Sequence, residues 1–126
     1  MKPSFVLIES RRNQIVPLLR SAAPAFFSSA EYRIVEGNDD LPGVILAAFG
    51  GYLRRSTRDA QSIDELNSGA AAINELYGWN DPGVRESIRD EFIESFTDDP
   101  EGTKAIEPFL CEGLVEEFAR MLANLR

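Results

Sequence analysis

The side chains best suited to chemistry in this chain are carboxylates, and the usual companions of carboxylate catalysis are missing. Asp39-Asp40 and Asp98-Asp99-Glu101 are the densest acidic clusters, and either could attract Ca2+ or Mg2+ loosely. Neither follows the twelve-residue EF-hand pattern, so helix capping and solvated turns account for them better. The chain has no histidine. That removes the commonest general base near neutral pH, the commonest zinc ligand, and every Ser-His or Cys-His arrangement. The single cysteine, Cys111, stands between Leu110 and Glu112. With no cationic neighbour to make it a nucleophile, it reads as a buried structural thiol. Gly50-Gly51 lies inside an apolar run and follows no strand, so it is a poor phosphate cradle. We therefore expect no catalytic residue, no metal and no cofactor.

A third acidic series has a different character. Glu86, Asp90 and Glu94 recur at four-residue steps, opposite the apolar series Val84, Ile88, Phe92 and Phe96. Like charges four apart destabilise a helix by a few tenths of a kcal/mol each. Asp98 and Asp99 extend the ridge at the helix C-terminus, where negative charge is again unfavourable. A series that carries these small costs is the candidate partner-binding surface: Glu86, Asp90, Glu94, Asp98 and Asp99.

The charge balance points the same way. Residues 1–58 hold eight Lys and Arg against five Asp and Glu, a balance of +3, whereas residues 59–126 hold five against sixteen, a balance of −11. Nucleic acid is disfavoured as a partner, because its binding depends on Lys and Arg neutralising phosphates. A basic protein partner fits an acidic face. Solubility is the competing account of the same acidity.

The elements that position the ridge can be read from period and punctuation. Residues 4–20 read as a helix capped by Ser4 and interrupted by Pro17. Residues 25–35 read as a second helix, bounded by Pro24 and by the loop Glu36-Gly37-Asn38-Asp39-Asp40. Residues 41–55 are a strongly apolar helix with Asp40 as cap and Pro42 in the first turn. Within it, Gly50 and Gly51 each cost about 1 kcal/mol relative to alanine and point to a close backbone approach. Ser62-Ile63-Asp64-Glu65 is a capping box opening a helix to about Tyr77, with Ile63, Leu66, Ala70, Ile73 and Tyr77 as its stripe. Asp81 caps, and Pro82 begins, a helix over 82–97. A short helix over 103–110, complicated by Pro108, and a final one over 111–125 close the chain. Arg85 falls within the apolar arc of its helix, which suggests a stem packed between helices and a head paired with Asp81 or Glu75. Trp79 reads as closing the helix pair at the turn, with an exposed interface anchor as the alternative.

The result is an all-α fold of about six helices in a single domain, residues 1–126, built as an antiparallel bundle or a short HEAT-like α-α array. Asp40-Leu41-Pro42-Gly43-Val44 and Asp81-Pro82-Gly83-Val84 are similar, and their valines stand 40 residues apart, near the period of HEAT-type helical pairs. The lone cysteine, the absence of a long apolar run and the short apolar start predict a cytoplasmic protein without a membrane span.

The segments 41–53, 72–96 and 106–110, with Asn74-Glu75-Leu76 and Asp81-Pro82-Gly83-Val84-Arg85, resemble a family of small acidic helical bacterial proteins akin to the immunity proteins of polymorphic toxin systems. The resemblance implies a protein that binds and blocks a cognate toxin, and it carries no catalytic motif. A structural or adaptor domain is the alternative, with a homodimer face on the apolar helix 41–55.

Overall fold

A computed structural model describes residues 10–124. The candidate cap Ser4 and the last apolar residue Leu125 lie outside the described residues. Seven α-helices, linked by short 3-10 turns, make up the described chain, and no strand occurs among those residues. They are α1 (Ile15–Ala22), α2 (Ala30–Val35), α3 (Pro42–Ser56), α4 (Ile63–Gly78), α5 (Pro82–Ser87), α6 (Pro100–Ile106) and α7 (Glu112–Asn124). None of them is long and apolar enough to cross a membrane.

Helix α3 is central, packing against α1, α2, α4, α6 and the segment that continues α5. Its buried side chains Ile45, Leu46, Phe49, Tyr52 and Leu53 form one apolar face. Of the two architectures expected, this packing is a bundle around a middle helix, since a repeat array stacks each unit on its neighbours alone. The two similar segments also do different work. Asp81 caps α5 by accepting from the Val84 amide at 3.0 Å, whereas α3 has no side-chain cap. Val84 is fully buried, while Val44 is 38% exposed.

Aromatic rings run through the core from end to end. Centroid separations are 5.1 Å for Phe26–Phe49, 6.0 Å for Phe49–Phe92, 5.7 Å for Phe92–Phe96 and 5.3 Å for Phe96–Phe118. Such pairs add to the large apolar area that each ring buries.

Several expected boundaries shift, each for a local reason. Residues 11–14 form a 3-10 turn capped by Ser10, and α1 starts only at Ile15. Pro17 therefore falls in the first turn, where a missing N–H is harmless, and not in mid-helix. The expected helix over 25–35 is split: Pro24–Ser28 is a 3-10 turn, and the extended residue Ser29 caps α2 by accepting from the Tyr32 amide at 3.2 Å. Asp40 does not cap α3, because the chain enters through Leu41. The capping box at Ser62 does not form either. Asp59 accepts from the Gln61 amide at 3.0 Å and from the Ser62 hydroxyl at 2.9 Å, capping a 3-10 turn ahead of α4. The expected core residue Ile63 is 47% exposed, whereas Leu66, Ala70, Ile73 and Tyr77 are buried.

The two glycines of α3 also differ. A Cβ on Gly50 would lie 2.0 Å from Ser95 Oγ and 3.0 Å from the Phe92 carbonyl oxygen, so the crossing of α3 with the segment after α5 requires glycine there. A Cβ on Gly51 would meet nothing nearer than Glu31 Cγ at 3.9 Å.

Candidate functional site

The acidic ridge lies on a helical segment that changes pitch along its length. α5 ends at Ser87, Ile88–Phe92 form a π turn in which the Ile93 amide donates to the Ile88 carbonyl, and Ile93–Phe96 tighten into a 3-10 turn. A π turn inserts one extra residue into a helical turn. Here Ile88, Phe92, Ile93 and Phe96 are all buried. The carbonyls displaced from the regular ladder find side-chain donors. Ser95 Oγ donates to the Phe92 carbonyl at 2.6 Å, Thr97 Oγ1 to the Glu94 carbonyl at 2.7 Å, and Arg54 Nη1 to the Ser95 carbonyl at 2.8 Å. The irregular backbone is thus satisfied and fixed, as buried polar groups require.

On the outer side of this segment Glu86, Asp90, Glu94 and Asp98 are all exposed. None of the four forms an ion pair among the described residues. The segment carries two cations of its own, and both have partners within the fold. Arg85 Nε donates to the Tyr77 carbonyl at 3.0 Å, and its guanidinium lies 4.0 Å from the centroid of the Tyr77 ring. Arg85 is thus packed between helices as expected, but on a carbonyl and a ring in place of an acid. Arg89 Nη1 reaches the Glu117 carboxylate at 3.1 Å. Arg89 stays 45% exposed, but neither arginine forms an ion pair with a ridge acid among the described residues.

Asp99, the fifth residue of the expected ridge, is placed differently. It is 8% exposed. Its two carboxylate oxygens accept from Arg58 at 2.7 and 2.6 Å, and Oδ1 also accepts from the Gly102 amide at 2.9 Å, capping α6. The Arg58 hydrogen bonds hold its pKa down to about 2 against the opposing effect of burial. A carboxylate so engaged has little left to offer a partner.

Three further side-chain clusters came to light only in three dimensions. Buried Glu117 accepts from the Tyr77 hydroxyl at 2.9 Å, from Arg89 at 3.1 Å and from Arg120 at 2.8 Å. Burial pushes its carboxyl up, but these hydrogen bonds and the positive charges outweigh that and leave it below the usual range. Asp39 pairs with Arg20 and accepts from the Tyr32 hydroxyl at 2.8 Å. Asn74 clamps the loop before α7, donating to the Phe109 carbonyl at 3.0 Å and accepting from the Cys111 amide at 2.9 Å. These partners lie 3 to 40 residues apart in sequence, and the longer separations leave no local pattern to read.

The remaining candidates are structural. Cys111 is half-buried and packed on the core. Trp79 is half-buried against the same core, with the Arg11 guanidinium 3.8 Å from its ring centroid. That arrangement suits a residue closing the α4–α5 corner. Among the described residues, no three of Cys, Asp and Glu converge as a metal-ligand cluster. Comparison with family models, curated proteins and solved structures finds no match for this chain.

Proposed function

We propose that this is a non-catalytic protein-binding domain whose ridge of Glu86, Asp90, Glu94 and Asp98 meets a basic surface on a protein partner. The observation that carries this reading is the division of labour along residues 82–98. Both arginines are engaged by other groups of the fold, and all four ridge acids face solvent without an ion pair among the described residues. An uncompensated row of one sign speeds encounter with the opposite sign and disfavours like-charged competitors. The absence of histidine supports a non-catalytic role. The likeness to immunity proteins narrows the partner to a secreted toxin of basic character, which this domain would bind and block.

The test is a charge reversal, Asp90→Lys with Glu94→Lys, followed by calorimetric titration against the product of the neighbouring gene at low and high salt. Binding should weaken by about tenfold or more at low salt, with the difference shrinking as ions screen the ridge. Equal affinity of the reversed and native proteins at every salt concentration would remove the ridge from the interface.

A further inference from the structure

Away from the ridge, α2 and α3 enclose a shallow apolar groove that internal packing leaves open. Its wall is Ile34, 85% exposed, with Val35 beside it. Its floor is Val44, Ala47, Ala48 and Gly51, with a volume of about 390 Å3. At Val44 and Glu91 it runs into a second hollow of about 710 Å3, bordered by Arg12, Leu41 and Asp40. Three of the exposed large apolar residues, Ile34, Leu41 and Val44, line this continuous surface.

Gly51 is the informative residue. Glycine is a poor choice in a helix interior, and here no neighbour within the fold demands it, in contrast to Gly50. Its missing side chain, with the small Ala47 and Ala48, lets a foreign backbone come close to α3. The charges select the visitor. Of the acids around the two hollows, Glu31 is matched by Arg55 and Asp39 by Arg20. That leaves Asp40 and Glu91 facing Arg12, with no ion pair to either acid among the described residues. A second copy related by a two-fold axis would bring the same surplus of acid, Asp40 and Glu91 against Arg12 alone, to the same groove, which is unfavourable.

We infer that this groove seats an amphipathic helical segment of a protein partner, with apolar side chains on one face and Lys or Arg on its flanks. Helix-in-groove recognition of this kind places apolar anchors at i, i+3, i+4 and i+7. The part of α3 from Pro42 to Gly51 spans about 15 Å at 1.5 Å per residue, enough for nearly three turns of a docked helix. The inference rests on the protein-binding reading above and adds a second contact to it, shaped by apolar fit where the ridge acts by charge.

The probe is a labelled Leu/Lys amphipathic peptide of about 14 residues, titrated by fluorescence anisotropy, with a Leu/Glu peptide of equal length as control. The decisive variant is Gly51→Leu, which fills the groove without a clash at its Cβ. The Leu/Lys peptide should bind saturably, and the Leu/Glu peptide about tenfold more weakly or worse. Gly51→Leu should weaken the Leu/Lys peptide by about tenfold or more, while the Asp90→Lys/Glu94→Lys reversal should change it less than about threefold. Circular dichroism checks that each variant is folded, and Ile34→Asp, on the opposite wall, should repeat the loss. Three results overturn the inference: no saturable binding, native affinity in Gly51→Leu, or a concentration-dependent dimer in sedimentation that Gly51→Leu abolishes. Binding lost on ridge reversal but kept in Gly51→Leu would leave the ridge reading standing and remove the groove.

Discussion

Asp98 and Asp99 are neighbours in the chain with opposite surroundings. Asp98 faces water with no ion pair among the described residues, while Asp99 is buried beneath Arg58 and caps α6. The same division separates Glu86, Asp90 and Glu94 on the outside of their segment from Glu117, which sits against its inner side and collects Tyr77, Arg89 and Arg120. A buried carboxylate is held only where donors surround it, because an unpaired buried charge is very costly. An exposed one has no such obligation and leaves its charge available. Identical side chains therefore serve the fold in one place and the field of the molecule in the other.

Removing the most enclosed acid should have the largest effect. Glu117→Ala strips the acceptor from a buried tyrosine and two arginines, and chemical denaturation should show a loss of about 3 kcal/mol. A loss below about 1 kcal/mol would mean that Glu117 belongs with the ridge and not with the core. Asp99→Ala comes next. Losing the α6 cap and the Arg58 contact should cost about 1–2 kcal/mol by the same measurement.

Acid titration probes the same carboxylates together. The pKa of Asp99 is lowered in the folded state from 3.8 to about 2, and that of Glu117 is also lowered. The unfolded chain therefore binds protons more readily, and the stability these groups supply is present above about pH 4. It should disappear as the pH falls from about 4 towards 2, and Asp99→Asn should flatten that part of a melting-temperature profile.

Reversing the ridge should have the smallest effect on stability. Asp90→Lys with Glu94→Lys breaks no ion pair among the described residues and removes repulsion between like charges. Stability should stay within about 0.5 kcal/mol of native, on the favourable side at low salt. A large loss would show that the ridge is part of the fold and would erase the contrast with Asp99.

Much of the fold was legible in advance, and the failures have a common cause. Pro82 after Asp81 gave a correct helix start, because capping needs only residues three apart. The alternation in α4 placed Leu66, Ala70, Ile73 and Tyr77 correctly in the core. The capping box at Ser62 and the cap at Asp40 failed because the residue pattern does not fix how the chain enters each helix. Asp59 takes the Ser62 hydroxyl, and the chain enters α3 at Leu41 without using Asp40. Helical spacing predicts a ridge of five acids and the structure leaves four exposed, since spacing carries no information about Arg58, 41 residues away.

The all-α class, most of the helix starts, the apolar stripes and the lopsided charge follow from residue order alone. Each of these is set by side chains within a turn or two of one another, where spacing is geometry. Tertiary structure alone decided which acids are paired, why Gly50 must be glycine while Gly51 need not be, and that Ile34 stands in solvent beside an open groove. Those outcomes depend on which distant segment packs opposite a residue. Local period fixes the face a side chain occupies, and only the completed packing fixes what that face meets.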